Sequence, residues 1–225
     1  MRDSVRNDRL MPDLHLDPPP DLMVMAAKDE TQAIALILPG GSGAEEGPGE
    51  RYRPSVLRML PFGWSLQRAG HRRGLAVALL RYRVAGWKSG GPGAEEDTRW
   101  ALAQLLQRFG PVPVVLVGHS MGGRTALATA DGSTVVGVVA LAPWIGTDLR
   151  ARALADRQVV IAHGDRDRIT DPRASQAFAD RARAAGFDVE FIPVQGDGHA
   201  MLKAFGRWHR LVRDRVLAML EPSLR

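Results

Sequence analysis

The sequence has no cysteine and no long apolar segment, and both absences narrow the classes of protein that it can belong to. Without cysteine there are no disulfides, no thiolate metal sites and no cysteine nucleophile. No segment approaches the ~20 consecutive apolar residues that a membrane-spanning helix needs. Residues 1–21 mix Arg, Asp and Pro and lack the apolar core of a secretory signal. The default expectation is therefore a cytoplasmic protein with no membrane partner.

The charge is weakly basic but is not concentrated in any segment. The formal net charge of the 225 residues is +5, and the basic excess is mainly arginine. The basic residues are interleaved with Asp and Glu along the whole chain. They form neither the basic block nor the aromatic-basic stripe that would favour nucleic-acid binding. We therefore expect no nucleic-acid partner.

Short apolar runs alternate with helical patterns from residue 34 onward. The runs are short and continuously apolar, which is typical of strands that are buried on both faces of a parallel sheet. They occupy residues 34–38, 75–80, 112–117, 135–141, 159–162 and 189–192. Helical patterns lie between them, at residues 56–69, 102–109, 174–185 and 202–220. The alternation predicts an α/β fold with a mostly parallel sheet flanked by helices.

The start of the chain has a different character. Residues 1–21 are predicted to form a disordered extension, and residues 22–225 a single domain. An apolar stretch at residues 23–26 is followed by a short polar link, which predicts an antiparallel hairpin with the run at 34–38. Pro61 either kinks the first predicted helix or marks its start.

The sharpest local signal is the segment Gly-His-Ser-Met-Gly at residues 118–122. It follows a β-branched run directly and precedes a good helix start. A sharp turn between strand and helix raises the Ser120 hydroxyl above the sheet, and Gly118 and Gly122 remove side chains that would collide there. The positive end of the following helix favours an oxyanion beside that hydroxyl. The segment therefore predicts Ser120 as a nucleophile.

A serine hydroxyl is a weak nucleophile and needs an adjacent base. His199 lies in a glycine-rich loop between the last predicted strand and the last predicted helix, from where it can reach back over Ser120. The backbone of His119 is committed to the turn, and His209 lies inside the last helix. The remaining histidines are at positions 15, 71 and 163. His199 is the predicted base.

The acid that orients the imidazole is expected just after a strand. Asp165 and Asp167 both follow a buried run, in the segment His-Gly-Asp-Arg-Asp at residues 163–167. Asp171 precedes Pro172 and is better interpreted as a helix N-cap. Spacing alone leaves Asp165 and Asp167 open, and each can also be a loop carboxylate paired with a neighbouring arginine.

The order serine, aspartate, histidine along the chain resembles that of the α/β-hydrolases and differs from the orders in chymotrypsin-like and subtilisin-like proteases. The segment 163–167 is similar to the family's His-Gly-x-x-Asp motif, whose last residue is the catalytic acid, so the resemblance implies Asp167. Gly-His at residues 198–199 resembles the family's Gly-His before the final helix. The resemblance covers nearly all of the chain from about residue 23 and is greatest for small esterase and dienelactone-hydrolase-like members without a lid. It implies an α/β-hydrolase fold in which residues 22–225 form one catalytic domain.

The resemblance also implies an oxyanion hole made of two backbone N–H groups. One belongs to the residue after the nucleophile, here Met121. The other comes from the loop after an early strand, here Pro-Gly-Gly-Ser at residues 39–42, in which Pro39 replaces the family's histidine. The expected donor is Gly41, with Ser42 as the alternative. The replaced side chain is not required, because the donors are backbone groups.

The pocket is expected to be open. Only residues 142–158 lie between two predicted strands at the position where many family members insert a lid, which is too short for a lid domain. Trp144, just past a strand end, is expected to line the pocket together with Ser42. Trp64 and Trp87 are weaker candidates.

These features predict a serine hydrolase that cleaves a small or medium acyl ester through Ser120, His199 and Asp167, with an acyl-enzyme intermediate. A thioesterase is the alternative, favoured if Arg124 or Arg166 binds the phosphates of an acyl carrier. A non-hydrolytic ligand-binding or cyclase protein is a further alternative, because the fold does not fix the reaction. We expect a small-molecule acyl substrate, no metal or organic cofactor, and a monomer or homodimer.

Overall fold

The computed structural model describes residue 16 and residues 19–41, 54–83 and 93–224. Most of the predicted extension, together with Ser42 and Trp87, lies outside these residues. The strands within them are β1 (Asp21–Met25), β2 (Ala33–Leu38), β3 (Leu75–Arg81), β4 (Val114–His119), β5 (Val135–Leu141), β6 (Gln158–Gly164) and β7 (Val189–Val194). The helices are α1 (Pro54–Gly70), α2 (Gly93–Phe109), α3 (Met121–Ala128), α4 (Pro172–Ala184) and α5 (Phe205–Leu220).

The seven strands form one sheet in the order β1-β3-β2-β4-β5-β6-β7. β1 runs antiparallel to β3, and every other neighbouring pair is parallel. Each of the six predicted apolar runs overlaps one of the strands β2 to β7. The mostly parallel sheet flanked by helices is therefore confirmed.

The predicted hairpin between the first two strands is wrong. β1 does pair in antiparallel fashion at the edge of the sheet, but its partner is β3, with Met23 opposite Leu79. β3 lies between β1 and β2 in the sheet. β1 and β2 are therefore consecutive in sequence but are not paired with each other.

Two hydrophobic layers cover the sheet, one on each face. α1 and α5 cover one face, where Ala35 and Ile37 of β2 contribute to the same buried cluster as Phe62 and Trp208. α2, α3 and α4 cover the other face, which receives the alternate residues of β2, including Leu36. Because successive side chains of a strand point to opposite faces, a strand covered on both sides is continuously apolar.

The ends of the helices explain two local patterns. The Asp171 side chain accepts a hydrogen bond from the backbone N–H of Arg173 at 2.9 Å, which confirms it as the N-cap of α4. α1 begins at Pro54 and continues through Pro61, so Pro61 does not mark its start. The connection between β5 and β6, residues 142–157, contains one short 3-10 turn, Ala151–Leu154, and no lid domain. Within the described ranges no helix is long and apolar enough to cross a bilayer.

Candidate active site

Ser120 occupies the turn between β4 and α3, and its backbone lies in an unusual conformation. Its φ is 56° and its ψ is −116°, in a region that side-chain-bearing residues rarely adopt. The turn is held by the backbone N–H of Ser120, which donates to the carbonyl of Leu141 at 2.9 Å. A Cβ on Gly118 would collide with the backbone of Gly122. The predicted sharp elbow is thus present, and only glycine fits on its inner side.

Ser120, His199 and Asp167 form one continuous hydrogen-bonded chain. His199 Nε2 lies 3.0 Å from Ser120 Oγ, and His199 Nδ1 lies 2.8 Å from Asp167 Oδ2. The three residues follow the carboxyl ends of β7, β4 and β6, which meet at one edge of the parallel sheet. The Asp167 side chain is fully buried, whereas the imidazole of His199 is 15% exposed. The geometry is that of a nucleophile, a base and an orienting acid.

The carboxylate of Asp167 is held by a dense set of donors. Oδ1 accepts the backbone N–H groups of Ile169 at 2.8 Å and Thr170 at 3.0 Å. Oδ2 accepts from His199, and the Thr170 hydroxyl donates to it at 2.9 Å. Burial acts to raise the pKa of Asp167, but hydrogen bonds from His163, His199 and these backbone groups outweigh burial and hold it well below its usual range. Asp167 is therefore ionised at neutral pH.

A second histidine contacts the same carboxylate oxygen as His199. His163 Nε2 lies 3.1 Å from Asp167 Oδ2, and His163 Nδ1 lies 2.8 Å from the hydroxyl of Ser175. His163 and Ser175 are both fully buried. In the neutral ring that donates from Nε2 to the carboxylate, Nδ1 accepts from the Ser175 hydroxyl. His163 therefore positions Asp167 without reaching the cavity.

Asp165, the alternative acid, has a different partner. It is exposed, and its Oδ1 accepts the backbone N–H of Gly196 at 2.7 Å. It ties the segment after β6 to the loop that carries His199. Of the two carboxylates that spacing left open, only Asp167 contacts the imidazole.

His119 holds the loop that carries His199 through a hydrogen bond to its backbone. The ring is buried, and its Nε2 donates to the backbone carbonyl of His199 at 2.9 Å. Burial, followed by the neighbouring His199, lowers the pKa of His119 to about 3. His119 is therefore neutral near pH ~7, with its proton on Nε2.

Asp197 links the two ends of the same loop by hydrogen bonds. Its Oδ1 accepts the N–H of Gly198 at 2.8 Å, and its Oδ2 accepts the N–H of Ala204 at 2.8 Å and the indole N–H of Trp208 at 2.9 Å. Trp208 is fully buried under the sheet. The loop that presents His199 is therefore anchored to the core as well as to the elbow.

A cavity of about 390 Å³ opens over the Ser120 hydroxyl. Its lining combines glycine backbone, the two site histidines, a few polar side chains and three large apolar side chains. The lining residues are Gly40, Gly41, Ser55, Arg58, His119, Ser120, Met121, Trp144, Ile169, Thr170 and His199. The predicted pocket residue Trp144 lies here, whereas Trp64 is 58% exposed on α1 and does not line the cavity.

The two residues predicted to form an oxyanion hole both line this cavity. Met121 begins α3, so its backbone N–H is at the free amino end of that helix. Gly41 follows β2, and a Cβ on the preceding Gly40 would lie 3.3 Å from Ser120 Cβ. The loop after β2 thus lies directly against Ser120. Ser42, the alternative donor and predicted pocket residue, falls outside the described residues.

Among the residues that the structure describes, no group of three or more His, Asp or Glu side chains is placed to hold a metal ion. The carboxylate and the imidazoles of the site are instead engaged with one another and with the backbone.

A family model described as the alpha/beta hydrolase family matches residues 35–222. The chain belongs to the α/β-hydrolase family. Among curated proteins, lipase LipV of Mycobacterium tuberculosis is 35% identical over 135 residues, which are 52% of this chain and 49% of that protein. The match thus spans about half the length of this relative.

Solved structures show the same fold at low sequence identity. An α/β serine hydrolase homologue from Coxiella burnetii has a TM-score of 0.66 and 19% identity, covering 87% of this chain and 90% of that one. Est1E from Butyrivibrio proteoclasticus, bound to ferulic acid, has a TM-score of 0.66 and 14% identity, covering 90% and 96%. Esterase 2 from Thermogutta terrifontis has a TM-score of 0.65 and 16% identity, covering 88% and 87%.

Several residues of this α/β-hydrolase site had no role in the sequence prediction. His163 belonged to the quoted His-Gly-x-x-Asp motif, which was the signal available for it. Thr170 and Ile169 are close to Asp167 in sequence, but only the folded turn shows which atoms face the carboxylate. Arg58 comes from α1, and nothing in the sequence around it marks it as part of a site.

Proposed function

We propose that this α/β-hydrolase is a serine hydrolase that cleaves a small or medium acyl ester. The observation that carries the proposal is the unbroken hydrogen-bonded chain from Ser120 Oγ through His199 to Asp167. The series of hydrogen bonds ends at the Ser120 hydroxyl, and Ser120 lines a cavity. Three of the similar proteins, a lipase, a serine hydrolase homologue and an esterase, support the same class of reaction.

The proton positions follow from the hydrogen bonds. Asp167 is ionised and accepts from His199 Nδ1, so Nδ1 carries the proton and Nε2 offers a lone pair to Ser120. His199 takes the hydroxyl proton as Ser120 attacks the ester carbonyl. The tetrahedral oxyanion is held by the backbone N–H groups of Met121 and Gly41, and the adjacent carboxylate stabilises the imidazolium.

The second half of the cycle reverses the proton transfer. The tetrahedral intermediate collapses, the alcohol leaves with the proton from His199, and an acyl group remains on Ser120. A water molecule then gives a proton to His199 and attacks the acyl carbonyl. Collapse of that second intermediate releases the carboxylic acid and restores the serine hydroxyl. Nothing is consumed but ester and water.

The size and lining of the cavity support a modest substrate. About 390 Å³ lies at the small end of the range for small-molecule sites. Met121, Trp144 and Ile169 give it an apolar wall for an acyl chain. Ile169 is 76% exposed, so that wall continues to the outside.

The two arginines that would favour a thioesterase by binding carrier phosphates, Arg124 and Arg166, do not support that alternative. Arg124 forms an ion pair with Asp148 and its guanidinium lies 4.8 Å from the centre of the Trp144 ring. Arg166 is exposed and does not line the cavity. An oxygen ester is therefore the preferred substrate class.

The test is the initial rate on p-nitrophenyl esters of increasing acyl length, for the wild-type protein and Ser120→Ala. We expect turnover by the wild type and a loss of roughly 10⁴-fold or more in the variant, because the three residues act as a unit. Ser133→Ala, at an exposed serine outside the cavity, is the matched control and should keep full activity.

Two other results would redirect the assignment. Turnover near the wild-type level in a folded Ser120→Ala protein would remove Ser120 as nucleophile. A folded wild-type protein that hydrolyses no oxygen ester would move the assignment to a thioester substrate or to ligand binding. Labelling by a fluorophosphonate, located by mass spectrometry, would report on Ser120 even if these esters were poor substrates.

A further inference from the structure

Arg58 brings a positive charge to the cavity above the nucleophile. It lies on α1, is half-buried, and lines the cavity together with Ser55, which is three residues earlier and therefore on the same helix face. Its charge is near enough to His119 to contribute to the low pKa of that imidazole, after burial and His199. Arg58 thus faces the reacting centre rather than the outer surface of α1.

Arg58 differs from the other half-buried arginines of the described chain. Each of the others donates to a carboxylate or a backbone carbonyl; they are Arg73, Arg81, Arg83, Arg99, Arg124, Arg157, Arg213 and Arg215. Arg58 has no hydrogen-bond or ion-pair partner within residues 19–41, 54–83 and 93–224. A guanidinium removed in part from water without a partner is unfavourable unless a ligand supplies one.

The rest of the described lining does not compensate this charge. It contains no aspartate or glutamate, and Asp167 is buried behind His199. The described lining therefore combines the Ser120 hydroxyl, an apolar wall and the cation of Arg58, with no described carboxylate beside that cation. Such a site favours a ligand that has an apolar body and carries a negative group.

We propose that Arg58 binds a carboxylate on the substrate, so that the preferred ester of this enzyme is an anionic one. Arginine suits this task because its planar fork of N–H donors matches the two oxygens of a carboxylate. Ser55, on the same face of α1, can add a hydroxyl donor. The inference rests on the proposed ester hydrolysis and adds the chemical class of its substrate.

The experiment compares two esters of similar length, one anionic and one neutral. Mono-p-nitrophenyl adipate carries a carboxylate at the far end of its acyl chain, and p-nitrophenyl heptanoate carries none. We expect the wild type to prefer the adipate ester, and Arg58→Gln to reduce the adipate-to-heptanoate ratio of kcat/KM by about tenfold to hundredfold. Arg58→Lys should restore part of the preference, because it keeps the charge but not the fork.

The matched control is Arg68→Gln, which removes the same charge from an exposed position on α1 outside the cavity. It should leave the ratio unchanged. A wild-type ratio near one, a ratio that survives in Arg58→Gln, or an equal loss in Arg68→Gln would overturn the proposal. The last result would indicate a long-range effect of net charge instead of a contact.

A binding measurement separates this inference from the proposed reaction. In Ser120→Ala, calorimetry compares monomethyl adipate with methyl heptanoate, and we expect tighter binding of the anionic ester that Arg58→Gln abolishes. If the wild type hydrolyses neither ester but this preference holds, ester hydrolysis fails and the anion site stands. If both esters are hydrolysed without preference and bind equally, the anion site fails alone.

Discussion

His119 shows how a residue beside Ser120 can position the loop of His199. Its Nε2 donates to the backbone carbonyl of His199 at 2.9 Å, and its pKa of about 3 keeps it neutral in the range where esterases are assayed. It therefore holds the loop of His199 in place without exchanging a proton. Its sequence position inside the elbow indicated only a backbone role.

Replacing His119 by leucine should lower kcat/KM by about fivefold to tenfold, the value of one lost hydrogen bond that positions His199. The acid limb of the kcat/KM profile should keep its midpoint. A group with a pKa of about 3 is already deprotonated at higher pH, so His119 does not contribute to that limb. Stopped-flow rates across the acid range measure both quantities. A limb that disappears in the variant would show that His119 itself titrates during turnover.

At the scale of elements, the elbow depends on close approach of two backbones. A Cβ on Gly122 would collide with the carbonyl groups of Leu38 and Pro39 at the end of β2. The Gly122→Ala variant must therefore push β2 away from α3. This would also move the loop that contains Gly41.

We expect Gly122→Ala to lower the free energy of unfolding by about 1–3 kcal/mol and to reduce ester turnover strongly. Gly206→Ala is the control, since a Cβ there meets no atom within 4 Å and the residue lies in α5. It should be neutral or slightly stabilising, because alanine restricts the unfolded chain and favours a helix. Urea unfolding measures both variants. Equal unfolding midpoints for Gly122→Ala and wild type would show that the elbow can relax.

The sequence predicted elements better than it predicted their order in the sheet. Runs that are apolar on both faces identify β2 to β7 because a strand buried on both sides has no polar alternation. The same uniformity hides which strand lies beside which, so β1 was paired with β2 instead of β3. The segments that carry Ser120, His199 and Asp167 could be proposed together as a site because each sequence signal is local. Thr170 and Arg58 enter the site through the folded arrangement, which spacing does not encode.

At the scale of the whole molecule, the candidate site occupies the edge of the sheet that is formed by the carboxyl ends of the parallel strands. Segments that follow β2, β4, β6 and β7 meet there, and α1 closes one side with Arg58. Both faces of the sheet are occupied by the hydrophobic layers, so this edge is where polar side chains gather. Stability and function are therefore linked wherever a residue of this edge is also tied to the core.

Asp197 is such a residue, and it makes global stability depend on pH. Burial acts to raise the pKa of Asp197, but the N–H groups of Ala204 and Gly198 and the indole of Trp208 outweigh burial, so the pKa is lowered. A carboxyl with a lowered folded pKa stabilises the fold above its unfolded pKa of about 3.9. That stabilisation is lost as the pH falls through the folded pKa, because both states then bind the proton.

The Asp197→Asn variant should therefore be less stable than wild type by about 1–3 kcal/mol near neutral pH, since an amide cannot accept from donors on both sides. The deficit should shrink as the pH is lowered below about 4. Urea unfolding of both proteins at several pH values measures it, with Asp188→Asn at an exposed carboxylate as the control that should show no such trend. A deficit of constant size across this range would mean that the shape of Asp197, and not its charge, anchors the loop to Trp208 and the core.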